Sequence, residues 1–292
     1  MGGAVETNTP SDDPFDHEQR FLLSRAEMRR FLADIGARAA VEIYDPARPV
    51  SYTRTTYFDT NDLAYFRSGE GSPARRLRVR EYAVAATPRE APVLSGVAFI
   101  ELKEHEGATR RKVRLAATPS EIAQLLVERG GDAARSVAPA AAALDVIARE
   151  LALPTMSSRL ATWYRRLCLT ADGRRVRITV DENLTFCRPL AIGEPGALAA
   201  PRAREVVAAF PARVLEVKHS GEMPLWLCAA LESLQPARSF SKFQMGMTAL
   251  GHGDGEAEAE AGGESAESES AQSTQSGEAE PPVFALGSFV AA

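Results

Sequence analysis

Charged side chains alternate with apolar ones along several short segments of the sequence. In RRLRVREY, Arg76, Arg78 and Arg80 alternate with Leu77 and Val79. Residues two apart on a β-strand point to the same side, so such a segment predicts a strand with one apolar and one charged face. Four further segments alternate in the same way: AFIELKE with Glu101 and Lys103, RRKVRL with Lys112 and Arg114, RRVRITVDENL with Arg177, Thr179 and Asp181, and RVLEVKHS with Glu216 and Lys218.

The simplest interpretation of this alternation is an antiparallel sheet whose charged face lies in water. Two observations weigh against it. The charged faces repeat Arg and Lys beside a single Glu, whereas ordinary solvent faces mix Thr, Ser, Gln and Lys. The sequence also predicts amphipathic helices, which need an apolar sheet face to cover. If these helices cover the outside of a curved sheet, the charged faces point into its interior.

Eight segments have the period of a strand, which is enough to close a barrel. Capping boxes at Ser24–Glu27 and Thr118–Glu121 predict the starts of two helices, and further helices are expected around 139–152 and from Pro224. We therefore predict an α+β fold, a closed antiparallel β-barrel or tunnel of about eight strands with flanking helices. The strand segments are QRFLLS, TTYFDT, RRLRVREY, AFIELKE, RRKVRL, TWYRRLCLT, RRVRITVDENL and RVLEVKHS.

A barrel interior lined by about ten cations is untenable without a polyanion to neutralise it. The guanidinium fork of Arg and the ammonium group of Lys both match phosphate oxygens. A chain of phosphates is therefore the expected occupant. The few carboxylates beside the cations are expected to hold a divalent metal that bridges phosphate oxygens.

The charge of the chain is divided unevenly along its length. Residues 251–292 contain nine acidic residues and no Lys or Arg, which leaves 34 basic against 30 acidic residues over 1–250. We predict three parts: a disordered N-terminus at 1–15, one structured domain at 16–250, and an acidic low-complexity tail with a short apolar end at 251–292.

The remaining composition points to the cytoplasm. The three cysteines, Cys168, Cys187 and Cys228, have no metal-site spacing, and their odd number favours a reducing compartment. The polar N-terminus does not have the pattern of a signal peptide, and no apolar run approaches the ~20 residues of a transmembrane helix. Nucleic-acid binding is disfavoured because the cations interleave with carboxylates and lack stacking aromatic residues.

Nine short motifs occur in the order of a known family. They are Glu18–Phe21, Tyr57–Thr60, Arg78–Tyr82, Phe99–Lys103, Lys112–Arg114, Tyr164–Arg166, Arg177–Asp181, Leu215–Lys218 and Ser239–Phe243. Together they resemble the VTC domain, the catalytic domain of polyphosphate polymerases in the triphosphate tunnel metalloenzyme (CYTH-like) superfamily. Arg20 stands where the family usually has Lys, which keeps the charge and changes its geometry.

The resemblance implies that the phosphates of ATP enter a tunnel and that the γ-phosphoryl group passes to phosphate or to a growing polyphosphate chain, with Mn²⁺ or Mg²⁺ bound. The implied catalytic residues are Lys103, Arg78, Arg80, Lys218 and Lys242. The implied substrate-binding residues are Arg20, Lys112, Arg114, Arg166, Arg177 and Ser241. Glu216 is the first implied metal ligand, followed by Glu101 and Glu18.

Two alternatives remain open from the sequence. The same lining serves a tunnel triphosphatase, in which water is the acceptor, and it also serves a non-catalytic module that binds polyphosphate. The motifs around Lys218 and Lys242 favour the polymerase over the hydrolase. Glu216 favours an enzyme over a binding module, because binding alone needs no carboxylate for a metal.

Overall fold

The structure is a computed structural model, and it describes residues 15–68, 74–106, 109–127, 141–153, 155–237 and 240–252. The predicted disordered N-terminus, apart from Phe15, and the acidic tail beyond residue 252 lie outside these ranges.

The described part contains ten strands and five α-helices. The strands are β1 (His17–Leu23), β2 (Ala40–Val41), β3 (Val50–Asp59), β4 (Ala74–Ala85), β5 (Val93–Glu106), β6 (Thr109–Ala117), β7 (Ser157–Ala171), β8 (Val176–Cys187), β9 (Val206–Ala209) and β10 (Arg213–His219). The helices are α1 (Arg25–Ile35), α2 (Pro119–Val127), α3 (Ala141–Leu151), α4 (Leu225–Leu231) and α5 (Lys242–Met247).

All the strands belong to one antiparallel sheet. Its main path runs β1-β10-β8-β7-β3-β4-β5-β6, with β2 added to β7 and β9 added to β8. The α+β class and the antiparallel sheet are confirmed, with ten strands rather than about eight.

Closure of the sheet is the part of the fold prediction that is not confirmed. In the described residues β1 and β6 are the two edges, and no ladder of hydrogen bonds joins them. The edge of β1 is instead covered by the chain that follows α4. Phe21 forms a bridge with Pro236, and the backbone N–H of Ala237 donates to the carbonyl of Arg20 at 2.7 Å. A segment near the C-terminus thus takes the place that a neighbouring strand has in a closed barrel.

The outward face of the sheet carries the helices, and it is apolar where they cover it. β1, β8 and β10 pack against α1 and α4, and β4, β5 and β6 pack against α2 and α3. Full burial of each Leu, Ile or Phe contributes about 1.5–3 kcal/mol, so these contacts fix which side of the sheet faces outward. The first contact buries Phe21, Ile178, Val180, Leu215 and Val217 against Met28, Phe31, Ile35, Leu227 and Leu231.

The helix starts predicted from the two capping boxes are confirmed. The hydroxyl of Ser24 accepts the N–H of Glu27 at 3.2 Å, and the Glu27 carboxylate accepts the N–H of Ser24 at 2.7 Å. Thr118 and Glu121 make the same reciprocal pair before α2, at 3.3 and 2.7 Å. Among the described residues, no helix is both long enough and apolar enough to cross a membrane.

Helix α5 lies on the opposite, inward face of the sheet. Its buried Phe243 and Met247 join a core that contains Tyr57 and Leu160, and the rings of Tyr57 and Phe243 are 5.3 Å apart. A Cβ atom at Gly246 would collide with Leu160, so the close approach of the helix requires glycine there. One end of the inward face is therefore filled by an apolar plug, and its charged part lies beside that plug.

Asp59 organises the turn that follows β3. It is fully buried, and its carboxylate accepts the backbone N–H groups of Thr60, Tyr65 and Phe66 at 2.8, 2.9 and 2.9 Å. The Asp59 carboxylate therefore stabilises the turn through these hydrogen bonds, and it is not one of the charged side chains of the inward face.

Replacement Asp59→Ala is expected to lower the free energy of unfolding by about 3 kcal/mol, because it leaves buried N–H groups without an acceptor. Urea unfolding measures the change. The exposed Asp62 on the same turn is the control, and Asp62→Ala is expected to change the unfolding midpoint much less, because its hydrogen bond with Thr60 is exposed to water. Equal losses in the two variants would contradict the role given to Asp59.

Candidate functional site

The register of the sheet brings the predicted site residues to its inward face. Residues directly opposite each other in an antiparallel pair point to the same side. Arg78 lies opposite Glu101, and Glu101 lies opposite Arg114. On the other half of the sheet, Glu216 lies between Arg20 and Thr179. We call this surface the inner basic face; its cations are Arg20, Arg76, Arg78, Arg80, Lys103, Lys112, Arg114, Arg166, Arg177, Lys218 and Lys242, and its carboxylates are Glu18, Glu101, Asp181 and Glu216.

Glu101 is the centre of the first group of charges. Its side chain is only 2% exposed, and Oε2 lies 2.7 Å from Nη2 of Arg78. Oε1 lies 3.5 Å from Lys112 and 3.4 Å from Arg114. Burial alone would raise the pKa of Glu101, but Arg78, Arg80 and Lys112 hold it well below its ordinary value. Both carboxylate oxygens are engaged by cations, which makes Glu101 a poor fit for a metal ligand.

Asp181 is the centre of the second group. Its two oxygens accept a bidentate pair from Arg166 at 2.7 and 2.8 Å, and Lys242 lies 2.8 Å from Oδ2. Burial would raise the pKa of Asp181, but Arg166 and Lys242 lower it. The sequence analysis placed Asp181 on a charged strand face and gave it no role. Its shared face with Arg177 and Thr179 was the signal that it belongs to the site.

Glu216 is the carboxylate that stays accessible. Its side chain is 25% exposed, and Oε2 accepts Nε of Arg20 at 3.0 Å. Burial would raise the pKa of Glu216, but Lys218, Arg166 and Arg20 together lower it. Glu18 pairs with Arg20 and lies 3.4 Å from Lys218. Two partly exposed carboxylates and two cations thus meet on β1 and β10.

Several cations of the inner basic face lie close to one another, and they outnumber the carboxylates beside them. Lys103 stands in register between Arg76 and Lys112. The charge of Arg78, followed by burial, lowers the pKa of Lys103 well below its ordinary value. Burial, with Arg78 and Arg20 nearby, also lowers the pKa of Arg76. Arg76, which the sequence analysis did not assign to the site, therefore belongs to the same crowded group.

The inner basic face continues across the middle of the sheet. Arg80 on β4 stands opposite Thr55 on β3, and Arg166 on the neighbouring β7 stands opposite Asp181 on β8. The charged side chains of the two halves therefore share one face, with eleven cations against four carboxylates in the set named above. The charge of Arg20 on β1 contributes to the lowered pKa of Arg76 on β4, which agrees with a sheet that curves.

Two predicted residues have neighbours that the sequence did not suggest. Ser241 is the N-cap of α5, where its hydroxyl accepts the N–H of Gln244 at 3.3 Å. Arg177 lies at the end of β8, where its Nη2 donates to the Tyr44 hydroxyl at 3.4 Å. The Nε atom of Arg177 is buried without a hydrogen-bond partner among the described residues, so it has a free donor for an anion.

Tyrosine hydroxyls complete the inner basic face. Burial would raise the pKa of Tyr82, but Arg80 and Arg114 lower it. Tyr164 is buried with Lys242 5.0 Å above its ring, and its hydroxyl has no partner among the described residues. The sequence analysis named Tyr164 in one of the nine motifs and gave it no role. Its position between Arg166 and Lys242 adds a hydrogen-bond donor to the charged surface.

A separate cavity of about 310 Å³ lies on the outward side of the sheet. It is lined by apolar and hydroxyl side chains, among them Thr56, Phe58, Leu126, Leu151 and Ile192, and by no charged residue. It has no charged side chain that could neutralise a polyanion, in contrast to the inner basic face.

A family comparison agrees with this arrangement. The model of the VTC domain matches residues 15–251, which is most of the chain. The chain belongs to the VTC domain family. The match confirms the family that the nine motifs indicated, and no curated protein sequence matches the chain significantly.

Solved structures with a related fold accompany the VTC family match. An adenylate cyclase candidate from Bacillus halodurans has 14% identity and a TM-score of 0.45, covering 78% of this chain and 95% of its own. A Pyrococcus horikoshii protein has 10% identity and a TM-score of 0.39, covering 78% and 96%. An adenylyl cyclase candidate from Hippeastrum, described as having a dominant triphosphatase activity, has 10% identity and a TM-score of 0.42, covering 79% and 94%. Scores this low support no conclusion about activity.

The carboxylates of the inner basic face are the candidate ligands for a divalent metal in this VTC-family chain. Within the described residues, no three His, Cys, Asp or Glu side chains form a metal cluster. Mg²⁺, however, is commonly held by one or two carboxylates together with substrate phosphates. Glu216, with Glu18 beside it, fits that pattern, since it is partly exposed and its hydrogen bond with Arg20 uses Oε2.

Replacement Glu101→Gln is expected to lower the free energy of unfolding by about 3–5 kcal/mol, because it leaves three neighbouring cations without their counter-charge. The folded-state pKa of Glu101 is lowered from 4.5. Its stabilisation is therefore complete above about pH 4.5 and is lost as the pH falls through the folded-state value. Urea unfolding between pH 7 and pH 3 should show the gap between wild type and variant narrowing.

The exposed Glu232 at the end of α4 provides the control, and Glu232→Gln should give no such gap at any pH. A gap for Glu101→Gln that stays constant down to pH 3 would contradict the electrostatic role of Glu101.

Proposed function

We propose that this VTC-family chain is an ATP–polyphosphate phosphotransferase. In this proposal the inner basic face binds the phosphates of ATP and passes the γ-phosphoryl group to phosphate or to a growing polyphosphate chain. The observation that carries the proposal is the strand register, which places the cations of the strands on one face of the sheet, with Lys242 of α5 paired to Asp181 on the same face. A continuous line of cations suits a linear polyanion better than it suits a single compact anion.

The proposed roles follow the position of each side chain. Five cations surround the reacting phosphoryl group and neutralise the charge that develops on its oxygens. They are Lys103, Arg78, Arg80, Lys218 and Lys242. The remaining phosphates are bound by Arg20, Lys112, Arg114, Arg166, Arg177 and Ser241. Glu101 and Asp181 position these cations through the ion pairs described above, so they act through their neighbours.

The proposed metal site is Glu216, assisted by Glu18. A Mn²⁺ or Mg²⁺ held there would neutralise part of the phosphate charge. The remaining roles belong to the chain's own residues. The cations hold donor and acceptor phosphates in line, and the apolar α5 blocks one end of the site. Phosphoryl transfer depends mostly on positioning and charge, so no protein nucleophile is required.

Incubation of the purified protein with ATP and Mn²⁺ or Mg²⁺ tests the proposal. Polyphosphate that accumulates with ADP supports the phosphotransferase. Release of orthophosphate alone would replace it with a triphosphatase, and binding of polyphosphate without any turnover would reduce the protein to a binding module.

Replacement Glu216→Gln is expected to reduce turnover at least a hundredfold, because it removes the accessible carboxylate proposed to hold the metal. The variant keeps the size of the side chain, and it should remain folded by circular dichroism. Glu222→Gln, on the exposed turn after β10, is the control and should keep full activity. Full activity in Glu216→Gln would exclude Glu216 as the metal ligand.

Triphosphate or short polyphosphate is expected to raise the melting temperature clearly, since it relieves repulsion among the cations. A ligand that binds only the folded state contributes about 2.7 kcal/mol at a hundredfold excess over its Kd. Orthophosphate at equal phosphorus should do much less. Differential scanning fluorimetry measures the shift.

Arg80→Ala or Lys103→Ala should reduce that shift, whereas Arg29→Ala, exposed on α1, should leave it intact. Equal shifts from orthophosphate and polyphosphate, or equal losses in all three variants, would indicate diffuse electrostatics and would remove the physical basis of the proposed function.

A further inference from the structure

Tyr44 stands out among the aromatic residues of the chain. Tyr44 is 57% exposed, whereas every other Phe, Tyr and Trp in the described ranges is buried or half-buried. The neighbouring Val41 and Ile43 are also exposed. An exposed aromatic ring with an apolar border is available for contact with a flat ligand.

The position of Tyr44 places this ring at the end of the inner basic face. Arg177 is the first inward-facing residue of β8, and it stands in register with Lys218, which in turn faces Glu18. These side chains lie where β7 ends, β8 begins and β10 ends. Arg177 donates to the Tyr44 hydroxyl at 3.4 Å, so the ring begins where the line of cations stops.

The ring is also held in place by its hydroxyl end. The Tyr44 hydroxyl donates to Oε2 of Glu42 at 3.1 Å, and the thiol of Cys168 donates to the same oxygen at 3.1 Å. Burial of the hydroxyl end, followed by the influence of Cys168, raises the pKa of Tyr44, so the phenol keeps its proton and remains a donor to Glu42. An exposed ring that is anchored in this way loses little freedom when a ligand stacks on it.

We propose that Tyr44 is a stacking platform for the base of a nucleoside triphosphate whose phosphates lie on the inner basic face. This inference rests on the proposed function, since it requires phosphates beside Arg177. It adds a base subsite and a direction: the α-phosphate lies near Arg177, and the γ-phosphate lies deeper, beside Lys218 and Lys242 and towards the proposed metal ligand Glu216. The unpartnered Nε of Arg177 supplies a donor at the α-phosphate end.

The chemistry of the platform predicts a preference for nucleotides without a preference among bases. Every base has a π-face, so stacking tolerates purines and pyrimidines. A polyphosphate chain has no base and gains nothing from the ring. Tyr44 would therefore separate the nucleotide donor from the polyphosphate acceptor at one end of a surface that binds the phosphates of both.

The test compares ATP with ribose 5-triphosphate, which has the same phosphates and sugar and lacks the base. Binding to the full chain is measured by isothermal titration calorimetry for wild type, Tyr44→Leu and Tyr44→Phe. The control is Leu225→Ala, because Leu225 is 86% exposed on the outward helix α4. Circular dichroism and melting curves establish that each variant is folded.

Wild type is expected to bind ATP more tightly than ribose 5-triphosphate. Tyr44→Leu should weaken ATP binding by about tenfold to a hundredfold and leave ribose 5-triphosphate unchanged. Tyr44→Phe should keep most of the preference for ATP, and Leu225→Ala all of it.

The experiment distinguishes failure of the base subsite from failure of the proposed function. If wild type binds both compounds equally well and Tyr44→Leu changes neither, the platform is excluded while the phosphate site stands. If neither compound binds wild type, the proposed function fails, and the base subsite fails with it.

Discussion

Repulsion among like charges is the constraint on which this molecule depends. Eleven cations share one curved face with four carboxylates, and much of that face is shielded from water. Such a surface opposes folding, because burial removes the solvent that would screen it. Glu101 and Asp181 hold the most buried cations in place. On the proposed function, the remaining imbalance supplies the affinity for polyanions, so the same uncompensated charges favour binding and lower the stability of the fold.

The rest of the fold compensates for that cost. The outward face is apolar where four helices cover it from two sides. Helix α5 adds a second apolar contact on the inward face, against Tyr57 and Leu160. The charged surface therefore lies beside one apolar contact and on the opposite side of the sheet from another. The family match over residues 15–251 covers all of these elements.

The sequence predicted the strand faces because alternation with period two is a local property. It assigned Arg78, Glu101 and Glu216 to one surface, and the structure places them there. It missed β2 and β9, because strands of two and four residues are too short to show a period. It also could not tell that Pro236 and Ala237 cover the edge of β1, since edge pairing depends on contacts distant in sequence. Tyr44 escaped notice because it belongs to a loop, and only the register of β2 and β7 brings it to Arg177.

The pairing of β1 with segments from late in the chain affects how the protein folds during its synthesis. β1 begins at His17, whereas its partners, β10 and the segment at Pro236 and Ala237, come some two hundred residues later. Lys242 follows directly after that segment. Contacts between such distant parts of a chain form slowly, because a long loop must close first. A ribosome releases the N-terminal half well before Lys218 and Lys242 exist. The nascent chain thus has only part of its cations, and the complete inner basic face forms only after β10 and Lys242 have been synthesised.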